Sequence, residues 1–344
     1  MTPTIGLLGD VMLGRGVAER LKSAAPSELW SSDLIALTSS IDLMVCNLEC
    51  CISDRGARTD LVPGKPFFFR GPPAAVSSLQ VLGVRAVGLA NNHALDFGPD
   101  ALVDTIRHLE AGSIAVTGAG AGQEQARRGT VMDASGARVG VVAVSDHPAE
   151  FAARRETWGI SYADLRRGVP DWLRQEIGRT RKESDLLIVF PHWGPNMATR
   201  PARWQRLAAT DLLRAGADLV AGHSAHVFHG IERFEQGAAL YDLGDALDDY
   251  AIDPILRNDL GLLALWHVDA DNSSLELVGL FLDHCYTDLA RGADADWIDR
   301  RLASACKELG TRVERVAEQR FRIVGTIGPP TRQSPPSGAN PCAP

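Results

Sequence analysis

The chain has 344 residues, of which 45% are hydrophobic and 23% charged, enough apolar content to bury a substantial core in one large domain. The formal net charge of −8 leaves no basic surplus to neutralise a phosphate backbone, which excludes a general nucleic-acid binder. No stretch approaches the ~18 apolar residues of a membrane span, and the segment Met1 to Asp10 lacks the basic, apolar layout of a secretion signal.

Short apolar, β-branched runs bounded by turn residues predict strands in chain order at Ile5–Leu8, Leu43–Asn47, Ala86–Ala90, Ala115–Gly118, Val139–Val144, Leu186–Phe190, Leu219–Gly222, Ala238–Leu243, Leu262–Val268 and Leu275–Leu282. Amphipathic spacing predicts helices at Asp100–Ala111, opened by Pro99, and at Trp172–Lys182 and Arg203–Ala215. The alternation of strand and helix predicts an α/β fold, and unbroken runs such as Leu186 to Phe190 predict strands covered on both faces. The strand-dense stretch after about Ala238 predicts an antiparallel section. From Gly325 onward the chain turns to Gly-Pro-Pro and Ser-Pro-Pro segments, so residues 1–324 are expected to form the domain and 325–344 a disordered tail. Six cysteines without a CxxC pair or compact framework predict reduced thiols and a cytoplasmic setting, with Cys46, Cys50 and Cys51 as small buried side chains.

Polar clusters follow the strand ends, where open α/β sheets hold their ligands. They are Gly9-Asp10, Asn47-Leu48-Glu49, Asn91-Asn92-His93 with Asp96, His192-Trp193-Gly194, Gly222-His223 with His226 and His229, and Tyr241-Asp242-Leu243-Gly244-Asp245. Singly, each reads as readily as a helix cap or a hydrogen-bonded structural residue. Together, carboxylates, an amide oxygen and imidazoles form the mixed oxygen and nitrogen donor set that suits one or two Mn, Fe, Zn or Mg ions. A histidine beside such a centre that is not a ligand can protonate a leaving group, because its pKa lies near neutrality.

The ordered motifs Gly9-Asp10-Val11-Met12, Asn47-Leu48-Glu49, Ala90-Asn91-Asn92-His93-Ala94-Leu95-Asp96-Phe97-Gly98, His192-Trp193-Gly194, Ala215 through His223, and Tyr241-Asp242-Leu243-Gly244 resemble the CapA family of bacterial capsule or poly-γ-glutamate synthesis proteins, a branch of the calcineurin-like metallophosphoesterases. The resemblance spans roughly residues 4 to 250 and implies a four-layer α/β/β/α sandwich with metals at one end of two face-to-face sheets. It implies that Glu49 bridges two metals, that Asn92, His192 and His223 complete one site, and that Asp10 and His226 hold the other. His93 would be the general acid, oriented by Asp96, with a metal-bound hydroxide as nucleophile. Arg70, Asn91, His229 and Asp245 are the expected substrate contacts.

The sequence departs from the pattern at Met12, where the superfamily has a histidine, at Asn196, where the family commonly has an acid, and at Asp242 and Asp245, where it has Ser and Asn. Arg15, and His147 after Val144-Ser145-Asp146, are further candidates to reach substrate. Gly118-Ala119-Gly120-Ala121-Gly122 lacks the third glycine of a dinucleotide loop and is expected to be a flexible turn. Three functions compete: hydrolysis of a phosphate ester or related small or oligomeric anion, hydrolysis or transfer at an amide or γ-glutamyl bond, and a non-catalytic accessory role in polymer synthesis.

Overall fold

The computed structural model describes residues 3–269 and 273–327. A ten-stranded sheet is built around the strand Thr4–Val11, which pairs in parallel with Leu43–Leu48 on one side and with Asp245–Leu247 at its far end. Val84–Gly88 and Ala115–Thr117 extend the parallel half. Leu260–His267 and Ser274–Leu282 supply the antiparallel half expected after residue 238. A six-stranded sheet has Ala137–Ser145, Leu186–His192, Leu219–Ala221 and Ala238–Leu240 in parallel, with antiparallel edge strands Thr130–Ala134 and Ile231–Arg233.

The side-chain period of two explains the layering. In Leu43–Leu48, Leu43 and Val45 enter the core between the sheets, whereas Met44, Cys46 and Leu48 enter the outer core under the first helical layer. In Leu186–His192, Leu186, Ile188 and Phe190 face the inter-sheet core, and Leu187 and Val189 face the opposite helical layer. Helix Gly98–Ala111 covers the larger sheet with Leu102, Ile106 and Leu109. Helices Asp171–Glu183 and Arg203–Arg214 cover the smaller one with Leu173, Ile177, Leu212 and Leu213. The result is the α/β/β/α sandwich, with each fully buried aliphatic side chain worth about 1.5–3 kcal/mol of transfer free energy.

Two expectations are corrected, and elements that the sequence reading did not name are added. The long helix Gly292–Glu308 and the hairpin Val313–Ala317 with Arg320–Ile323 follow the last predicted strand. Residues 325–327, expected to open the tail, are anchored at Ile327, which is buried and whose N–H donates to the Ser273 carbonyl at 2.9 Å. The remainder of that tail lies outside the described residues. The glycine-rich segment is no flexible turn, because Ala119–Gly120 pairs with Gly159–Ile160 and a Cβ on Gly118 would lie 2.7 Å from the Ala90 Cβ. Cys46, Cys50, Cys51, Cys285 and Cys306 are buried free thiols, and no helix among the described residues is long and apolar enough to cross a membrane.

Candidate metal centre

The parallel strands of both sheets end at one place. Asp10 stands in register with Asn47 on one neighbouring strand and with Asp245 on the other, while His192 and His223 face each other across the second sheet. Close approach of the chain requires glycine before two of these residues. A Cβ on Gly9 would sit 1.9 Å from the Gly244 carbonyl oxygen, and one on Gly222 would sit 2.3 Å from that of Tyr241.

The loop after Gly222 is pinned from two sides. The Ser224 N–H donates to Asp10 Oδ2 at 3.0 Å and the Ala225 N–H to Asp242 Oδ2 at 2.8 Å. These bonds hold Ser224 and His226 at φ of 111° and 60°, conformations that side-chain-bearing residues avoid and that persist where the surroundings dictate them. A polar relay braces the other side: the Asn91 amide donates to Asn47 Oδ1 at 3.0 Å, and the Asn47 amide donates to Asp10 Oδ1 at 2.6 Å.

Donor atoms of Asp10, His192 and His223 lie within 4.8 Å of one another, as do those of Asp10, Glu49, His226 and Asp245. Asp10 is therefore common to both groups. The six-residue set of Asp10, Glu49, His192, His223, His226 and Asp245, with Asn92 the chain neighbour of His93, passes a chemical test for a cation. Glu49 Oε1, Asn92 Oδ1, His192 Nε2, His223 Nε2 and Asp245 Oδ2 are buried atoms without a hydrogen-bond partner. So many acceptors buried together and unsatisfied would be costly unless a cation engages them.

Electrostatics agree. Burial pushes the Glu49 pKa well above the carboxylate range, reinforced by the charges of Asp10 and Asp245. Burial acts on Asp10 in the same sense, but the His223 hydrogen bond and the His223, His192 and His226 charges outweigh it and hold Asp10 low. His192 is depressed mainly by burial. Burial opposes protonation of His226 too, yet Asp245, paired with its Nδ1 at 2.9 Å, and Glu49 raise its pKa.

His93 lies beside this set. Its Nδ1 meets Asp96 Oδ2 at 2.6 Å, leaving Nε2 directed toward the centre, 3.9 Å from Glu49 Oε1. Phe69 stacks on the imidazole at 3.9 Å between centroids, and the Phe69 N–H donates to the same Asp96 oxygen at 2.6 Å. Lys65 Nζ donates to the Asn92 carbonyl at 2.8 Å and pairs with Asp96 Oδ1 at 3.3 Å. Burial lowers the His93 pKa, assisted by the Lys65 charge, and burial raises that of Asp96 to about 7. A cavity of ≈ 280 Å³ opens over the centre, with Arg15, Phe69, His93, Met197, His226 and Tyr250 among its lining residues.

Residues 4–250 match the family described as Bacterial capsule synthesis protein PGA_cap. The chain belongs to that family. It is 31% identical over 355 residues to a "Probable polyglutamine synthesis accessory protein" of Mycobacterium tuberculosis, covering 90% of this chain and 93% of that protein. It is 25% identical over 252 residues to the "Capsule biosynthesis protein CapA" of Bacillus anthracis, covering 72% of this chain and 60% of the relative. Among solved structures, the 5'-nucleotidase of Candida albicans aligns over 90% of this chain and 58% of its own, at 10% identity and a TM-score of 0.43, too loose a likeness to bear on function.

Of the residues expected as ligands, Asp10, Glu49, His192, His223 and His226 lie together, and His93 with its partner Asp96 lies beside them. It redistributes the expected substrate contacts. Asp245 joins the donor cluster rather than the cavity wall. Asn91 is fully buried, its amide spent on Asn47, the Leu48 carbonyl and the His93 N–H. Arg70 turns away to the Arg55 and Gly56 carbonyls and covers the Phe97 ring at 4.1 Å. His229 is buried with Nε2 on the Ala198 carbonyl at 2.7 Å. None of these three lines the cavity. His147 pairs with Asp146 and lies 5.2 Å from the His192 ring. Met12 is no donor to the centre: it is buried in the core and its sulfur accepts the Gly14 N–H at 3.0 Å.

Lys65 and Tyr250 escaped the sequence reading. Tyr250 donates to Glu49 Oε2 at 3.2 Å and meets the His226 ring edge-on. Its one signal is its place five residues beyond Asp245, inside an acidic run that follows a strand end.

Proposed function

We propose that this protein is a divalent-metal-dependent hydrolase of phosphate esters or related anions. The observation that carries the reading is the set of unsatisfied, buried Glu49, His192 and His223 donor atoms gathered beside a histidine held by a carboxylate. Asp10, Glu49, Asn92, His192, His223, His226 and Asp245 would hold the cation or cations, manganese, iron, zinc or magnesium by donor type. Such a cation supplies an activated water and withdraws charge from phosphoryl oxygens.

The chain's own residues do the rest. Asp96 fixes the His93 ring through Nδ1, so that Nε2 is the atom available to pass a proton to the departing alkoxide. Phe69 and Lys65 hold that pair in place, and the Tyr250 hydroxyl fixes the Glu49 carboxylate. Burial and the Lys65 charge disfavour the His93 imidazolium in the free protein, and an anionic ester beside Nε2 would act in the opposite sense.

The test is a turnover screen of phosphomonoesters and phosphodiesters with and without added manganese. Metal-dependent cleavage of one class is expected, and its absence in metal-replete protein refutes the reading. The relatives' names, polyglutamine synthesis accessory protein and capsule biosynthesis protein, favour a second reading, accessory service to polymer synthesis or action on an amide or γ-glutamyl bond, since a Lewis acid serves a carbonyl as well as a phosphoryl group. Metal-dependent release of glutamate from γ-glutamyl amides, without phosphoesterase activity, would select it.

A further inference from the structure

The cavity over the centre is walled by rings rather than by free cations. Phe67, Phe69 and Tyr250 line it, with the Phe67 and Phe69 rings stacked at 6.5 Å and the Tyr250 ring tilted against Phe69 at 5.7 Å. Arg15 alone among the lining residues is a lysine or arginine, and its charge is already engaged. Its Nη2 and Nε lie 2.9 and 3.1 Å from the Asp249 carboxylate, and the guanidinium sits 5.4 to 5.8 Å from all three ring centroids. Lys65 is turned inward to Asn92 and Asp96.

The mouth continues the apolar character. Phe67 is 56% exposed, and the loop that borders the cavity through Ala251 and Asn258 carries Ile252 at 53% and Ile255 at 81% exposure. That loop is built rather than loose. Asn258 donates to the Ala251 carbonyl at 3.1 Å and accepts the Asp253 N–H at 2.7 Å, while Asp253 accepts the Ile255 and Leu256 N–H groups at 2.8 and 2.9 Å. Large apolar side chains held in water around a buried polar centre mark a surface that a ligand covers.

From this geometry we infer that the substrate is a phosphate ester of an apolar, aromatic alcohol, whose ring covers Phe67 at the cavity mouth, and that a polycarboxylate chain is not bound there. This rests on the phosphoesterase reading. A chain such as oligo-γ-glutamate could set one carboxylate against the cation-bearing centre, but each further carboxylate would meet a wall of rings whose one arginine is already paired with Asp249. An aromatic ring gains from Phe67 and Tyr250 without needing a counter-charge.

The experiment is calorimetric binding of three probes to the manganese-loaded full chain: 2-naphthylmethylphosphonate, methylphosphonate and a γ-glutamyl pentamer. The naphthyl probe is expected to bind at least about tenfold more tightly than the methyl one, with the pentamer unable to compete. In Phe67→Ala that ratio should fall about threefold or more, whereas Leu207→Ala, on the distant helix Arg203–Arg214, should preserve it. Equal affinity for the two phosphonates, or a ratio indifferent to Phe67→Ala, overturns the aromatic substrate and leaves the phosphoesterase reading intact. Binding of the pentamer with no binding of either phosphonate overturns both.

Discussion

Glu49→Gln separates the two states of the centre. Without a cation, Glu49 adds a buried carboxylate to a cluster that already holds Asp10 and Asp245, and both neighbours raise its pKa. Replacing that carboxyl by a neutral amide should leave the melting temperature of metal-free protein equal to wild type within about 1 °C, or higher. With a cation, the same change removes a donor. An unfolding entropy of about 2.1 cal/mol/K per residue scales to about 0.7 kcal/mol/K for 344 residues. Manganese at about a hundred times its dissociation constant contributes about 2.7 kcal/mol, which raises the wild-type midpoint by about 4 °C. Losing a donor costs at least the ~10²-fold that outer contacts to a ligand can cost. At the same concentration the variant should then shift by under about 1 °C. Differential scanning fluorimetry with and without manganese reads both numbers. A full 4 °C shift in Glu49→Gln would show that Glu49 does not hold the cation.

Asp96→Asn and His93→Ala should each lower turnover by about 10²-fold with metal content unchanged; coupled loss of metal would make the pair a support for the ligands instead. Tyr250→Phe removes the hydroxyl donated to Glu49 and should weaken manganese binding about tenfold, read by competitive chelation, and an unchanged affinity removes Tyr250 from the centre. His229 contributes to acid stability. Burial lowers its pKa to about 4, so between pH 6.5 and 4 the unfolded chain takes up a proton that the folded one refuses. Stability therefore falls with pH across that window by about 3 kcal/mol. His229→Asn, compared with wild type by urea unfolding at pH 7 and pH 4.5, should close most of that difference, and a gap independent of pH refutes the assignment.

The sheets were legible in the sequence because most of their strands are buried on both faces. Runs such as Val139–Val144 and Leu186–Phe190 have no polar face to confuse them with a helix. The terminal hairpin was not, because Val313–Ala317 is largely exposed and reads Val-Glu-Arg-Val-Ala, with charge inside the strand. Helix Gly292–Glu308 escaped because its buried stripe of Ala295, Ile298, Leu302 and Cys306 is narrow and interrupted by acidic and basic residues. Most of the clustered acids and histidines were legible since they stand at or near a strand end in a short motif with glycine, asparagine or tryptophan. Lys65 comes instead from a Pro- and Gly-containing loop with no period, and only folding carries it to Asn92 and Asp96. Asp245 was read as a substrate contact because its partner strand was unknown; pairing in register with Asp10 turns it toward the donors. Arg70, Asn91 and His229 show the converse, polar residues near motifs whose hydrogen bonds are consumed by the fold.

The central claim is the metal centre, and elemental analysis of the full chain after manganese loading and desalting tests it most directly, with Asp10→Asn and His223→Ala run alongside. One to two equivalents of divalent metal in the wild type, falling well below one in both folded variants, is the predicted result. Wild-type protein that retains no metal, or variants that retain as much as wild type, would contradict the account.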